Sequence, residues 1–179
     1  MNSSKTYNLT LTAIITALIF VATMFTRLPT PIGGIVHLGD FMIFVAVLTL
    51  PLKHAVFASS VGMLMVNLFA GLLFWAPFTF FIKGSMAYIS ATIISKVGNE
   101  NRKTLCIAFA LAAIFGVVAY FFAAMIIANL LLAGTTGLTA RFLFALQEIP
   151  SNLFQGTASV VLAVALSSVI VKIRNTASA

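Results

Sequence analysis

The 179 residues are 61% hydrophobic and only 7% charged, with a mean hydropathy of +1.15, far from the ~45–50% apolar, ~25% charged mix of soluble domains. That composition excludes a soluble enzyme or binding domain and places the chain in lipid. A net charge of +7 would suggest nucleic acid in a soluble protein, but the basic residues flank apolar runs and form no single patch, so they read as topology signals and no nucleic-acid partner is expected.

The first apolar run, from about Leu9 to Leu28, is long enough to span a bilayer and lacks an obvious small-residue cleavage site. It is therefore expected to persist as a first helix over about 6–28. Pro29-Thr30-Pro31-Ile32-Gly33-Gly34 ends it. A second helix over about 40–50 is shorter than the ~17–25 residues of a full crossing, so a partial or strongly packed helix is expected there. Pro51-Leu52-Lys53-His54 separates it from a third helix over about 54–74, and Trp75-Ala76-Pro77 introduces a fourth over about 78–96. Gly98-Asn99-Glu100-Asn101-Arg102-Lys103 precedes a fifth over about 104–132, and Gly134-Thr135-Thr136-Gly137 a sixth over about 140–172. The expected fold is an all-α membrane protein of about six transmembrane helices, a single domain over 1–179, without internal repeats. The single cysteine, Cys106, sits in an apolar stretch; it offers neither a disulfide framework nor a zinc site, and a packing role is expected.

With the amino terminus inside, the inner segments carry Lys5, Lys53, Lys96, Arg102, Lys103, Lys172 and Arg174, and the outer loops little beyond Arg27. The positive-inside rule therefore puts both termini in the cytoplasm, in a bacterial plasma membrane. On that topology the intramembrane polar residues are one-sided. Lys83 lies about two turns inward from the outer end of its helix, Asn67 and Asn129 lie near the outer ends of theirs, and Arg141 opens the last helix from outside. Arg141, Glu148, Asn152 and Gln155 follow at spacings of seven, four and three, along one helical face.

Ionisable groups in hydrocarbon cost at least ~2.5–3.5 kcal/mol each and usually face a wet cavity or a protein interior. Two readings stand: an outward-opening pocket, or a structural Lys83–Glu148 ion pair with interhelical amide hydrogen bonds. Concentration in one leaflet favours the pocket, with the segment from Pro29 to Leu38 as its cap. His37 and Asp40 lack a third ligand, so no metal site is expected. Asp40 reads as the N-cap of the short second helix, and His37 as either a ligand contact or a loop hydrogen-bonding group. His54 reads as interfacial. No phosphate loop, His-Glu-x-x-His or Gly-x-Ser-x-Gly motif is present, so no catalytic residue is assigned. A proton-coupled secondary transporter working through Glu148 is the runner-up on these residues.

Three runs are distinctive: Arg27-Leu28-Pro29-Thr30-Pro31-Ile32-Gly33-Gly34-Ile35-Val36-His37-Leu38-Gly39-Asp40; Trp75-Ala76-Pro77-Phe78 with Ile82-Lys83-Gly84; and Glu148-Ile149-Pro150-Ser151-Asn152-Leu153-Phe154-Gln155-Gly156. Together they resemble the substrate-binding S components of energy-coupling factor (ECF) vitamin transporters, in the branch that includes hydroxymethylpyrimidine, pyridoxine and pantothenate carriers. The resemblance implies a six-helix subunit that captures a vitamin from outside and joins a transmembrane coupling subunit and two cytoplasmic ATPases. It implies that ATP and Mg are used by those ATPases, with no cofactor bound by this chain. The expected substrate-binding set is Gly34, His37, Asn67, Trp75, Lys83, Tyr88, Asn129, Arg141, Glu148, Asn152 and Gln155. Ala13-Ile14-Ile15-Thr16-Ala17 matches the family's Ala-x-x-x-Ala docking motif, making Ala13 and Ala17 the expected contact with the coupling subunit. Hydroxymethylpyrimidine or pyridoxine suits Asn152, Lys83 and Glu148, with aromatic surface from Trp75, Phe78 or Tyr88. Pantothenate, an anion, is the alternative; it would pair with Lys83 or Arg141, but Glu148 would repel its carboxylate.

Overall fold

The computed structural model describes residues 3–31, 34–98, 101–131 and 137–177. In chain order these form α1 (Ser3–Phe25), β1 (Leu28–Pro29), β2 (Ile35–Val36), α2 (Gly39–Thr49), α3 (Leu52–Phe69), α4 (Ala76–Val97), α5 (Arg102–Leu131), α6 (Leu138–Leu146) and α7 (Glu148–Ala177). Five apolar helical segments, Lys5–Phe25, Leu52–Phe69, Ala76–Val97, Arg102–Leu131 and Leu138–Thr176, are long enough to cross a membrane. The outer faces are correspondingly apolar, with Phe81 69% and Val161 61% exposed, a surface that water would not tolerate over so wide an area. The all-α membrane class read from the composition is the one the chain adopts.

Several boundaries differ from the sequence reading, each for a local reason. The first helix ends at Phe25, and the segment after it is not wholly irregular. Leu28 pairs with Val36 and Pro29 with Ile35 in a two-residue antiparallel ladder, closed by the Thr30 N–H donating to the Gly34 carbonyl at 3.1 Å. Asp40 is not the N-cap of α2. The helix begins one residue earlier, at Gly39, with Leu38 in the cap position. The third helix stops at Phe69, not near residue 74, and the turn that follows leads to Pro77 in the first turn of α4, where the missing N–H has no helical partner to lose. The expected last helix is two helices. Pro150 has no N–H for the Leu146 carbonyl and its ring crowds that carbonyl, so α6 ends at Leu146 and α7 starts at Glu148. Cys106, expected to pack, is exposed on α5. Ile32, Gly33, Asn99, Glu100 and the break at 134–136 lie outside the described residues.

Neighbouring helices pack in the order α1, α3, α4, α5, α7, and α2 closes the ring between α7 and α1 while also touching α3 and α4. Small residues allow the close approaches that helix pairs in lipid need. A Cβ on Gly62 would meet the Ile19 side chain at 2.9 Å and the Thr16 carbonyl at 3.1 Å, so α3 can lie against α1 only with glycine there. The shortness of α2 is offset by burial: Ile43, Phe44 and Ala46 are fully inside, and Phe44 stacks on Phe109 of α5 with ring centroids 4.3 Å apart. At its carboxyl end the Arg174 guanidinium of α7 donates to the Leu48 carbonyl at 3.0 Å, a cation on the negative end of the helix dipole.

Because α1 to α5 alternate in direction and α6 with α7 makes one return crossing, the carboxyl ends of α1, α3 and α5 share one end of the bundle with the amino ends of α2, α4 and α7. The other end receives Lys5, Lys53, Lys96, Arg102, Lys103, Lys172 and Arg174, seven of the ten lysines and arginines.

Candidate functional site

At the end of the bundle poor in cations, α3, α4, α5, α7 and the hairpin enclose a cavity of about 230 Å³. Lys83 reaches its floor. Seven residues into α4, it stands ~10 Å below the helix start and is fully buried. Its ammonium forms an ion pair with Asp40 and lies 4.8 Å from the Tyr120 ring centroid, over its face. The Tyr120 hydroxyl donates to Thr79 Oγ1 at 3.2 Å. The pair is therefore Lys83–Asp40, not the Lys83–Glu148 pair weighed from sequence, and α2 contributes its first-turn carboxylate to the cavity floor, not to its own cap.

Gln155 binds this floor to the roof. Its Oε1 accepts from the His37 backbone N–H at 3.0 Å, and its side chain also hydrogen-bonds the Asp40 carboxylate. His37 Nδ1 accepts from the Gly39 N–H at 3.1 Å, which fixes the neutral tautomer with the proton on Nε2. Burial pushes the His37 pKa down to about 4, the Lys83 and Arg27 charges pull the same way, and the Asp40 carboxylate opposes them incompletely. The ring is a neutral donor at the cavity wall. The hairpin tip is held close by Gly34, whose φ of +77° favours glycine and whose Cβ, if present, would collide with Ser151 of α7.

Two amides, the Glu148 carboxylate and the Arg27 guanidinium complete the polar lining. Asn152 Nδ2 donates to the Glu148 backbone carbonyl at 2.8 Å, which leaves its Oδ1 uncommitted among the described residues. Asn67 is 8% exposed, and its Nδ2 is buried with no partner among the described residues. Glu148, at the first position of α7, also lines the cavity, as does Trp75. An unmet buried donor costs ~1–3 kcal/mol, and Asn67 carries one at the cavity lining.

Of the residues singled out from sequence, Gly34, His37, Asn67, Trp75, Lys83, Glu148, Asn152 and Gln155 meet at this one cavity. Tyr88 does not: it lines a lateral hollow between α3 and α4 with Lys53, Phe57 and Phe81. Asn129 is exposed on α5 and Arg141 sits on α6, away from the lining, because the break at Gln147 takes Arg141 off the helix that carries Glu148. Phe78 packs partly buried against the core. The cavity also uses Arg27, Ile35, Met63, Val66, Leu72, Thr79 and Tyr120, which the sequence reading did not assign to the site. Tyr120, a hydroxyl in the middle of an apolar helix, carried a signal; the aliphatic residues carried none. Two other hollows, of about 400 and 410 Å³, are larger. One lies at the cation-rich end and one faces outward between α3 and α4, and neither gathers unpaired polar groups as this cavity does. Among the described residues no three His, Cys, Asp or Glu side chains are grouped to hold a metal ion.

Ala13 and Ala17 are both exposed on α1, together with Ile14 and Leu18, on the face turned away from the bundle.

A family model described as ECF-type riboflavin transporter, S component, matches residues 3–172. No curated protein matches the chain.

Proposed function

This chain belongs to the ECF-type riboflavin transporter S-component family, an integral, multi-pass membrane family of transport subunits and not of enzymes, and from that premise we propose that it captures a single-ring vitamin or precursor from outside the cell. Hydroxymethylpyrimidine or pyridoxine fits this reading best. The observation that carries it is the unmet Asn67 amide, buried in a cavity whose only described ion pair, Lys83–Asp40, is already neutralised within the protein. A floor of that kind leaves hydrogen-bonding groups and aromatic surface to do the recognition.

The volume of about 230 Å³ falls below the ~300–1,000 Å³ usual for larger ligands, which favours one ring over the three fused rings of a flavin. Riboflavin, named in the family description, is the second reading. Pantothenate is the third, with Arg27 in place of the paired Lys83 as the counter-ion. Seven cations at the opposite end of the bundle support a cytoplasmic placement of both termini, so that the cavity opens outward.

Family membership implies association with an ECF module. In the proposed complex a transmembrane coupling subunit docks on the exposed Ala13 and Ala17 face, and two ATPases on the cytoplasmic side consume ATP and Mg. A thermal-shift panel on the purified chain, comparing hydroxymethylpyrimidine, pyridoxine, pantothenate and riboflavin, tests the substrate. Stabilisation by a single-ring compound well above that by riboflavin supports the proposal; stabilisation by riboflavin alone replaces it with the second reading.

A further inference from the structure

We propose that Asn67 and Glu148 are the two poles by which this cavity selects its ligand, and that the ligand is a heteroaromatic without net negative charge, presenting a hydrogen-bond acceptor to Asn67 and a donor edge, amino or ring N–H, to Glu148. The inference rests on the capture reading above and adds the chemical pattern of the substrate.

Among the described residues neither side chain has a hydrogen-bonding partner of its own. The Asn67 backbone carbonyl is occupied by the Leu72 N–H at 2.8 Å, but its side-chain Nδ2 is buried and unbonded among the described residues. Glu148 presents the opposite polarity. Ser151 Oγ at 3.0 Å and Asn152 Nδ2 at 2.8 Å both donate to its backbone carbonyl, not to its carboxylate. The only ion pair among the described residues is Lys83–Asp40. A carboxylate in the first turn of a helix gains from the dipole, and that structural role accounts for an acid at the start of α7; it does not account for the carboxylate lining the cavity beside the hairpin.

Among the other lining groups, Lys83, Asp40, Gln155 and Tyr120 are engaged with one another or with Thr79 and His37, while the His37 Nε2–H, the Asn152 Oδ1 and the Arg27 guanidinium stand beside the two poles as further contacts for the same ligand. A ligand carboxylate near Glu148 would add like-charge repulsion in a poorly screened site. A ligand amine or ring N–H there makes a charge-assisted hydrogen bond, while its acceptor edge satisfies the Asn67 amide.

Calorimetric titration of the purified full-length chain tests this with a matched pair: hydroxymethylpyrimidine, and its analogue with a methyl group in place of the exocyclic amine. The wild type is expected to prefer the amine by about tenfold, the scale of one charge-assisted hydrogen bond, and Glu148→Gln to reduce that preference to about threefold or less. Asn67→Leu is expected to weaken hydroxymethylpyrimidine by about tenfold while the melting temperature without ligand stays level or rises, because the substitution removes an unmet donor. A purely structural Asn67 would lower the melting temperature and leave affinity in the folded protein unchanged. If the wild type binds the ring but neither variant alters affinity or preference, the two-pole assignment is wrong and the capture reading stands. If the wild type binds neither compound but binds riboflavin or pantothenate, the pattern proposed here fails together with the single-ring reading.

Discussion

Lys83 shows what a buried charge in an apolar helix can and cannot tell from sequence. Its depth was legible from helix spacing, and so was its location near Asn67 and Glu148. Its partner was not, because Asp40 is 43 residues away and a carboxylate beside a helix start has an adequate local explanation as a cap. The structure makes a direct consequence testable. Lys83→Ala leaves the Asp40 carboxylate buried without its counter-ion, and a loss of about 3–5 kcal/mol in unfolding stability is expected; replacing the pair together by Lys83→Met and Asp40→Leu should recover most of it, as read by chemical unfolding in detergent. His37 gives a second test. With its pKa pushed down to about 4 in the folded protein against ~6.5 unfolded, the unfolded state binds the proton more readily between those values. The stability it contributes is full above pH 6.5 and declines as pH falls toward 4. Melting temperatures of the wild type should therefore fall more steeply across that window than those of His37→Asn, which keeps an acceptor for the Gly39 N–H but does not titrate there.

At the scale of elements, the apolar periods and the Pro and Gly breaks located the helices, including the short second one. They did not reveal where one helix becomes two. Glu148-Ile149-Pro150 reads as a continuous apolar-periodic run, and Pro is accepted in a first helical turn, so only the missing bond to the Leu146 carbonyl decides that a new helix starts there. The same break decides that Arg141 lies away from the cavity. The hairpin was equally hidden: Leu28–Pro29 and Ile35–Val36 are too short for a strand period to register. Its tip depends on Gly34. Gly34→Ala must adopt a left-handed conformation costing about 1–2 kcal/mol and push its Cβ into Ser151, so it is expected to loosen the roof and weaken ligand binding several-fold with only a small drop in melting temperature. Unchanged affinity in calorimetry would remove the hairpin from the ligand enclosure.

For the whole molecule, charge placement and family membership point the same way: cations gather at one end, the polar cavity opens at the other, and the outer wall is apolar. Which polar residues reach the cavity depends on helix rotation, and this is why Tyr88 and Asn129, at plausible depths, face elsewhere. Ala13 and Ala17 lie far from the lining and outside the bundle core, so Ala13→Trp or Ala17→Trp should leave binding by the isolated chain nearly intact while abolishing ATP-dependent uptake once the coupling subunit and ATPases are present. The central claim, capture of a single-ring vitamin in this cavity, is open to one direct measurement, because Trp75 is the only tryptophan and it lines the site. Titrating the purified protein with hydroxymethylpyrimidine or pyridoxine while following tryptophan emission should give a saturable change that Asn152→Ala shifts to higher concentration. Emission that none of these vitamins alters saturably, with calorimetry also showing no binding, would contradict the claim.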